Sequence, residues 1–160
     1  MTVVVVAGVA GSGKTEVGRE LARRMASHFV DADSFHTSGS VRRMRRGQSL
    51  SESERQAWLT RLTSSVRGRD PLVIACSALR RSHRDRLRTL GDVRVVMLDV
   101  PENELRRRLE ARSGHFFPVT LLEDQLATFE RPTTSEDVLV VPGDTAVTEV
   151  ASRILAALRS

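Results

Sequence analysis

The run Gly8-Val9-Ala10-Gly11-Ser12-Gly13-Lys14-Thr15 fits the pattern G-x-x-x-x-G-K-[ST] in full. A loop of this kind works only between a buried strand and a helix, so it dictates the fold around it. Ahead of it, Val3-Val4-Val5-Val6-Ala7 is the β-branched apolar run of a parallel strand covered on both faces. Behind it, Val17, Leu21, Ala22 and Met25 fall on one helical stripe. The glycines let the backbone curl until successive N–H groups face phosphate oxygens, and the helix dipole meets the anion end-on. In that setting Lys14 reaches the β- and γ-phosphates as a mobile point charge, and the Thr15 hydroxyl reaches Mg²⁺. Lys14 is the only lysine in the chain; all other cationic side chains outside histidine are arginine. The segment reads as a nucleoside-triphosphate site with Mg²⁺.

Composition narrows the rest. A chain of 160 residues supports one domain with a sizeable core. No apolar run reaches the ~18 residues of a membrane span, and the first residues lack signal-peptide order. The one cysteine, Cys76, excludes an internal disulfide framework and fits a reducing, cytoplasmic setting; in its apolar strand it reads as a buried thiol. The histidines have no metal-ligand spacing. The net charge of +5 and pI near 11.0 invite a nucleic-acid reading. The arginines are spread over several helices without a recognition motif, so no specific nucleic-acid partner and no membrane partner is expected.

Along the chain, strands and helices alternate, which argues an α/β fold with a parallel sheet covered on both faces. Strands are expected at 3–7, 29–31, 71–76, 93–98 and 138–141, in the order 2-3-1-4-5. Helices are expected from Thr15, over 41–66, 79–90, 102–112, 120–129 and 147–158. Two insertions, at 36–66 and 112–120, read as a substrate cover and a lid that shut water out before transfer. Asp31 and Asp33 follow strand two at its carboxyl end, where open α/β sheets bind ligands. Phosphoryl transfer needs Mg²⁺ beside the phosphates and an oriented acceptor hydroxyl. We therefore assign Asp31 to the magnesium water shell and Asp33 to the hydroxyl, with a helix N-cap or turn role as the plain alternative. His36 follows on the same side.

These residues also carry a family resemblance. Gly8 to Thr15, Asp31-Ala32-Asp33-Ser34-Phe35-His36, Arg43-Met44-Arg45-Arg46-Gly47-Gln48-Ser49-Leu50, Arg55 with Trp58-Leu59, Cys76-Ser77-Ala78-Leu79-Arg80 with Arg84-Asp85, Arg112-Ser113-Gly114-His115-Phe116-Phe117 and Asp137 to Val141 occur in order. Over nearly its whole length the chain resembles the small bacterial-type gluconokinases. The resemblance implies a three-layer P-loop NTPase fold like that of nucleoside-monophosphate kinases, forming one domain over 1–160. It implies transfer of the ATP γ-phosphoryl group to the 6-hydroxyl of D-gluconate with Mg²⁺, in a dimer. Departures from the family's usual pattern fall mostly in the substrate cover: Thr37, Arg43, Ser49-Leu50-Ser51-Glu52 for Pro-Leu-x-Asp, Ala57, and Asp124-Gln125-Leu126 for Ser/Thr-Gln-Phe, which keeps the glutamine.

The expected site then reads as follows. Lys14, Asp33 and Arg112 are catalytic, and Gly8 to Thr15 with Arg108 and Arg112 bind ATP. Asp33, His36, Arg43, Arg80 and His115 bind substrate, and Thr15 with Asp31 (through water) serves the metal. Arg108 and Arg112 lie one helical turn apart, with fixed charge for a transferring phosphoryl. Arg80 and Arg84 stand at i, i+4 and are expected to point to one side. A kinase of another small hydroxy acid, shikimate-type or a related sugar acid, is the nearest alternative, although Cys76-Ser77-Ala78 lacks the glycine cluster of shikimate-type enzymes. A guanine-nucleotide switch is excluded, because its Asn-Lys-x-Asp element needs a second lysine.

Overall fold

A computed structural model of the chain describes residues 2–112 and 118–160. Its five strands, β1 (Thr2–Ala7), β2 (His28–Asp31), β3 (Leu72–Cys76), β4 (Asp92–Asp99) and β5 (Val138–Pro142), form one sheet in the order β2-β3-β1-β4-β5. Every pairing is parallel; β1 lies at the centre, with Val3 opposite Leu72 and Val93. The helices are α1 (Lys14–Met25), α2 (Ser38–Arg45), α3 (Glu52–Val66), α4 (Arg81–Arg88), α5 (Glu102–Ala111), α6 (Val119–Thr128) and α7 (Val147–Leu158).

The valine run of β1 explains the layering. Strand side chains alternate between faces. Val3, Val5 and Ala7 accordingly pack with Trp58, Leu59 and Leu62 of α3 and Leu87 of α4. Val4 and Val6 pack on the other face with Val17 and Leu21 of α1 and Val150 and Ile154 of α7. A third cluster closes the carboxyl end of the sheet: Val9, Ala10, Leu79 and Val100 meet Leu105 and Leu109 of α5 and Leu122 of α6. The phosphate-binding loop and its neighbours are thereby pinned to apolar packing from below and from one side.

One expectation is corrected. The stretch 41–66 is two helices, not one. Gly47 breaks it with φ 80°, and a Cβ there would lie 2.8 Å from Thr120 Oγ1. Ser51 then caps α3, accepting from Glu54 N, while the Glu54 carboxylate takes the Ser51 N–H in return. A short 3₁₀ turn, Ala32–Phe35, leaves β2. Among the described residues no helix is long and apolar enough to cross a membrane.

Candidate active site

The loop between β1 and α1 is built for close approach. A Cβ on Gly8 would stand 2.4 Å from Ser12 Oγ, and Gly13 caps α1 at φ 87°, a left-handed conformation that side chains disfavour. The Ser12 hydroxyl is buried and finds no protein partner among the described residues. A pocket opens above α1, lined by Ala10, Gly13, Lys14, Thr15, Glu16, Asp31, Asp33, Leu109 and Arg112. Inside it Thr15 Oγ1 donates to Asp31 Oδ2 at 2.9 Å. The hydroxyl hydrogen is thus taken by Asp31, which leaves the oxygen lone pairs of Thr15 for a hard cation. The other Asp31 oxygen accepts from Asp33 N at 2.9 Å and caps the 3₁₀ turn. Asp31 therefore serves as both turn cap and partner of Thr15. Oxygen donors of this kind beside a phosphate pocket fit Mg²⁺.

A second pocket, termed the acceptor pocket below, adjoins the first, termed the phosphate pocket. Lys14, Asp33, His36, Met44, Ser49, Leu50, Arg55, Trp58, Ser77, Leu79, Leu121, Asp124 and Gln125 line it. Lys14 and Asp33 belong to both walls. Trp58 donates its indole N–H to Ala32 O at 2.7 Å, and His36 stacks on its ring with centroids 4.5 Å apart. His36 Nε2 stands 3.6 Å from Asp33 Oδ1. The indole is core and pocket wall at once, and it sets where His36 and Asp33 sit.

The arginines divide sharply. Arg112, at the end of α5, lines the phosphate pocket. Arg108 instead donates to Gly11 O at 3.0 Å and Gly143 O at 2.9 Å, bracing the loop from the α5 side. Arg106 and Arg107 pair with Glu102 and Glu104 on the exposed face of α5. Arg43 is held by Glu54 of α3, whose carboxyl the guanidinium's hydrogen bonds bring down to about 2. Arg80 stands 3.8 Å from Glu52 and 3.9 Å from Glu130. Neither Arg43 nor Arg80 lines the acceptor pocket. Arg80 and Arg84 both reach Glu130, Arg80 near its carboxylate and Arg84 by donating to its carbonyl at 3.0 Å, but they differ in burial: Arg84 is fully buried against Glu136 and Arg80 is partly exposed. His115 lies outside the described residues.

Arg55, Asp124 and Gln125 line the acceptor pocket and were not among the expected site residues. Arg55 is half-buried, and burial lowers its pKa against the pull of Glu52 and Asp124. Among the described residues its guanidinium makes no hydrogen bond or ion pair, which leaves all five donors for a ligand. The readable signal was a lone arginine on the Trp58–Leu59 side of α3. Cys76 is buried, and burial pushes its thiol up to about 12, as expected of a structural residue.

A buried histidine ties these walls together. His83 Nδ1 accepts from Arg80 N at 3.2 Å, so Nε2 carries the proton and meets Glu52 Oε1 at 3.0 Å. This joins the start of α3 to the start of α4. Burial holds the His83 pKa below its usual value, despite Glu52 and with Arg55 and Arg80 adding to the effect. The unfolded chain takes up this proton near pH ~6.5 and the folded chain resists it, so stability is complete above that pH and declines as pH falls below it. The melting temperature is expected to drop between pH 7.5 and 5.5, and His83→Gln is expected to flatten that drop.

A family profile described as an AAA domain matches residues 3–132. A curated relative, the gluconokinase of Gluconobacter oxydans, is 41% identical over 88% of this chain and 82% of its own. The chain belongs to the gluconokinase family. Solved structures agree: a gluconokinase from Sinorhizobium meliloti is 35% identical with a TM-score of 0.89, covering 99% of this chain and 91% of its own. A sugar kinase from Janibacter is also 35% identical, with a TM-score of 0.91 over 99% of this chain and 95% of its own. The chain is a kinase of the phosphate-binding-loop class, a fold that binds ATP.

Proposed function

We propose that this chain transfers the γ-phosphoryl group of ATP to the 6-hydroxyl of D-gluconate, giving 6-phospho-D-gluconate and ADP. The observation that carries the reading is the meeting of the phosphate pocket and the acceptor pocket at Lys14 and Asp33. Gly8 to Thr15 cradle the triphosphate, with the Lys14 ammonium on its β- and γ-oxygens. Thr15 directly and Asp31 through water would hold Mg²⁺, which when bound neutralises phosphate charge. Arg112 sets a permanent charge over the phosphoryl group as it moves, and Arg108 holds the loop that receives ATP.

Asp33 accepts the hydroxyl's hydrogen bond and aims its oxygen. As the new O–P bond forms and the bond to ADP breaks, the hydroxyl proton passes to Asp33 and then to water. Arg55, rather than Arg80, takes the substrate carboxylate, while His36 borders the chain of hydroxyls. Arg43 acts through Glu54 by bracing the substrate cover, 36–66, and His115 belongs to the lid, 112–120. The whole of 1–160 is one kinase domain. The family resemblance supports a cytoplasmic homodimer, and the relatives' names support gluconate as acceptor.

The experiment is Asp33→Asn assayed by ADP release with gluconate. The amide keeps the shape and loses the charge, so kcat is expected to fall about 10²- to 10⁴-fold with the ATP KM little changed. Turnover close to the parent chain would remove Asp33 from the reaction.

A further inference from the structure

The wall between the two pockets holds a contact that spans most of the sequence. Gln125 Oε1 accepts the main-chain N–H of Ala10 at 2.7 Å. Ala10 lines the phosphate pocket and Gln125 the acceptor pocket, so this bond crosses the seam where Lys14 and Asp33 also stand. A main-chain N–H only donates, so the carboxamide can face it only with its oxygen. Its NH₂ group is thereby oriented, and among the described residues nothing accepts from it. The rest of α6 is anchored: Leu122 is fully buried among Val9, Ala10 and Leu109, and Leu121 packs with Met44 and Leu50. A donor held this firmly costs no reorganisation when a ligand arrives.

Resting on the kinase reading above, we infer that Gln125 is a catalytic residue: its amide N–H donates to the phosphoryl group crossing from ATP to the acceptor hydroxyl. Negative charge spreads over the equatorial oxygens of that group in the transition state, and a fixed neutral donor at the seam favours it there. The Ala10 bond serves a second end, since it fixes the loop amide behind the phosphate pocket. Asp124, the next residue on α6, lines the acceptor pocket from the same helix.

Two substitutions separate these roles. Gln125→Glu keeps an oxygen for Ala10 N, removes the NH₂ and puts charge where the phosphoryl passes. Gln125→Leu removes both contacts at similar size. Loss of one preorganised donor predicts about a 100-fold fall in kcat at pH 8 for each, with the ATP KM changed by less than about threefold. The phosphates raise the introduced carboxyl's pKa, so the Gln125→Glu deficit relative to the parent chain narrows as pH falls, because the protonated acid again offers a donor. For Gln125→Leu the deficit stays level with pH. A kcat for Gln125→Glu within about threefold of the parent at pH 8 would show that only the Ala10 bond matters and overturn the inference. So would a deficit in that variant that ignores pH. All three proteins are assayed on the sugar acid that the parent chain turns over fastest. A wrong choice of acceptor then shows as parent inactivity on gluconate, and a wrong role for Gln125 shows as variant turnover equal to the parent's.

Discussion

Lys14→Ala is expected to lower kcat by about 10³-fold or more, the scale seen when a preorganised charge is removed from a developing oxyanion. That corresponds to roughly 4 kcal/mol of transition-state stabilisation. The side chain borders both pockets, and no other lysine exists to replace it. Folding should be unaffected, because Lys14 opens α1 at a half-buried position outside the main clusters. The single lysine also permits a chemical test. An amine-acylating reagent can modify only this ε-amine and the amino terminus, so inactivation should track one modification and be slowed by ATP. Inactivation that ATP leaves untouched would place the essential amine elsewhere.

Arg84→Ala is expected to be the most destabilising single change in the chain. The guanidinium has no exposed surface and its pairing with Glu136 is buried. It also donates to Ala78 O at 2.9 Å, Leu79 O at 3.1 Å and Glu130 O at 3.0 Å. Ala78 sits at φ 43°, so the turn leaving β3 depends on these bonds to hold an uncommon conformation. Removing one partner strands a buried carboxylate and several carbonyls, at a cost of about 3–5 kcal/mol. For a chain of this size that lowers the melting temperature by roughly 10 °C. Ser77 and Leu79 flank the same turn and line the acceptor pocket, so gluconate KM should rise too. The double change Arg84→Met with Glu136→Leu should restore much of the lost stability, since apolar packing can replace a buried pair. A single variant as stable as the parent would refute this account of the turn.

What was legible in the sequence was local. The phosphate-binding loop and a valine strand covered on both faces follow from spacing over a few residues, and both appear in the structure, as does the expected strand order. Asp31 was readable as either metal ligand or turn cap, and the geometry gives it the cap together with Thr15. The break at Gly47 was written in the chain as Ser51 and Glu54 at capping-box spacing, but arginine-rich helical periodicity on both sides hid it. The spacing of Arg80 and Arg84 could not show that Arg84 is buried, because its partner Glu136 lies far off in sequence. Gln125 was visible only as the glutamine of a family motif; its contact was not, because its partner Ala10 lies far off in sequence. Arg55, quoted with Trp58-Leu59 in the resemblance, becomes a pocket residue only when α3 packs on β3.

The most direct measurement follows ATP, ADP and sugar phosphate together by ³¹P NMR in a mixture of the purified chain, Mg²⁺-ATP and D-gluconate. The account predicts that ATP is consumed only when gluconate is present, with one phosphomonoester at the 6-position formed for each ADP. ATP turnover indifferent to gluconate, or no turnover with any sugar acid, would contradict it.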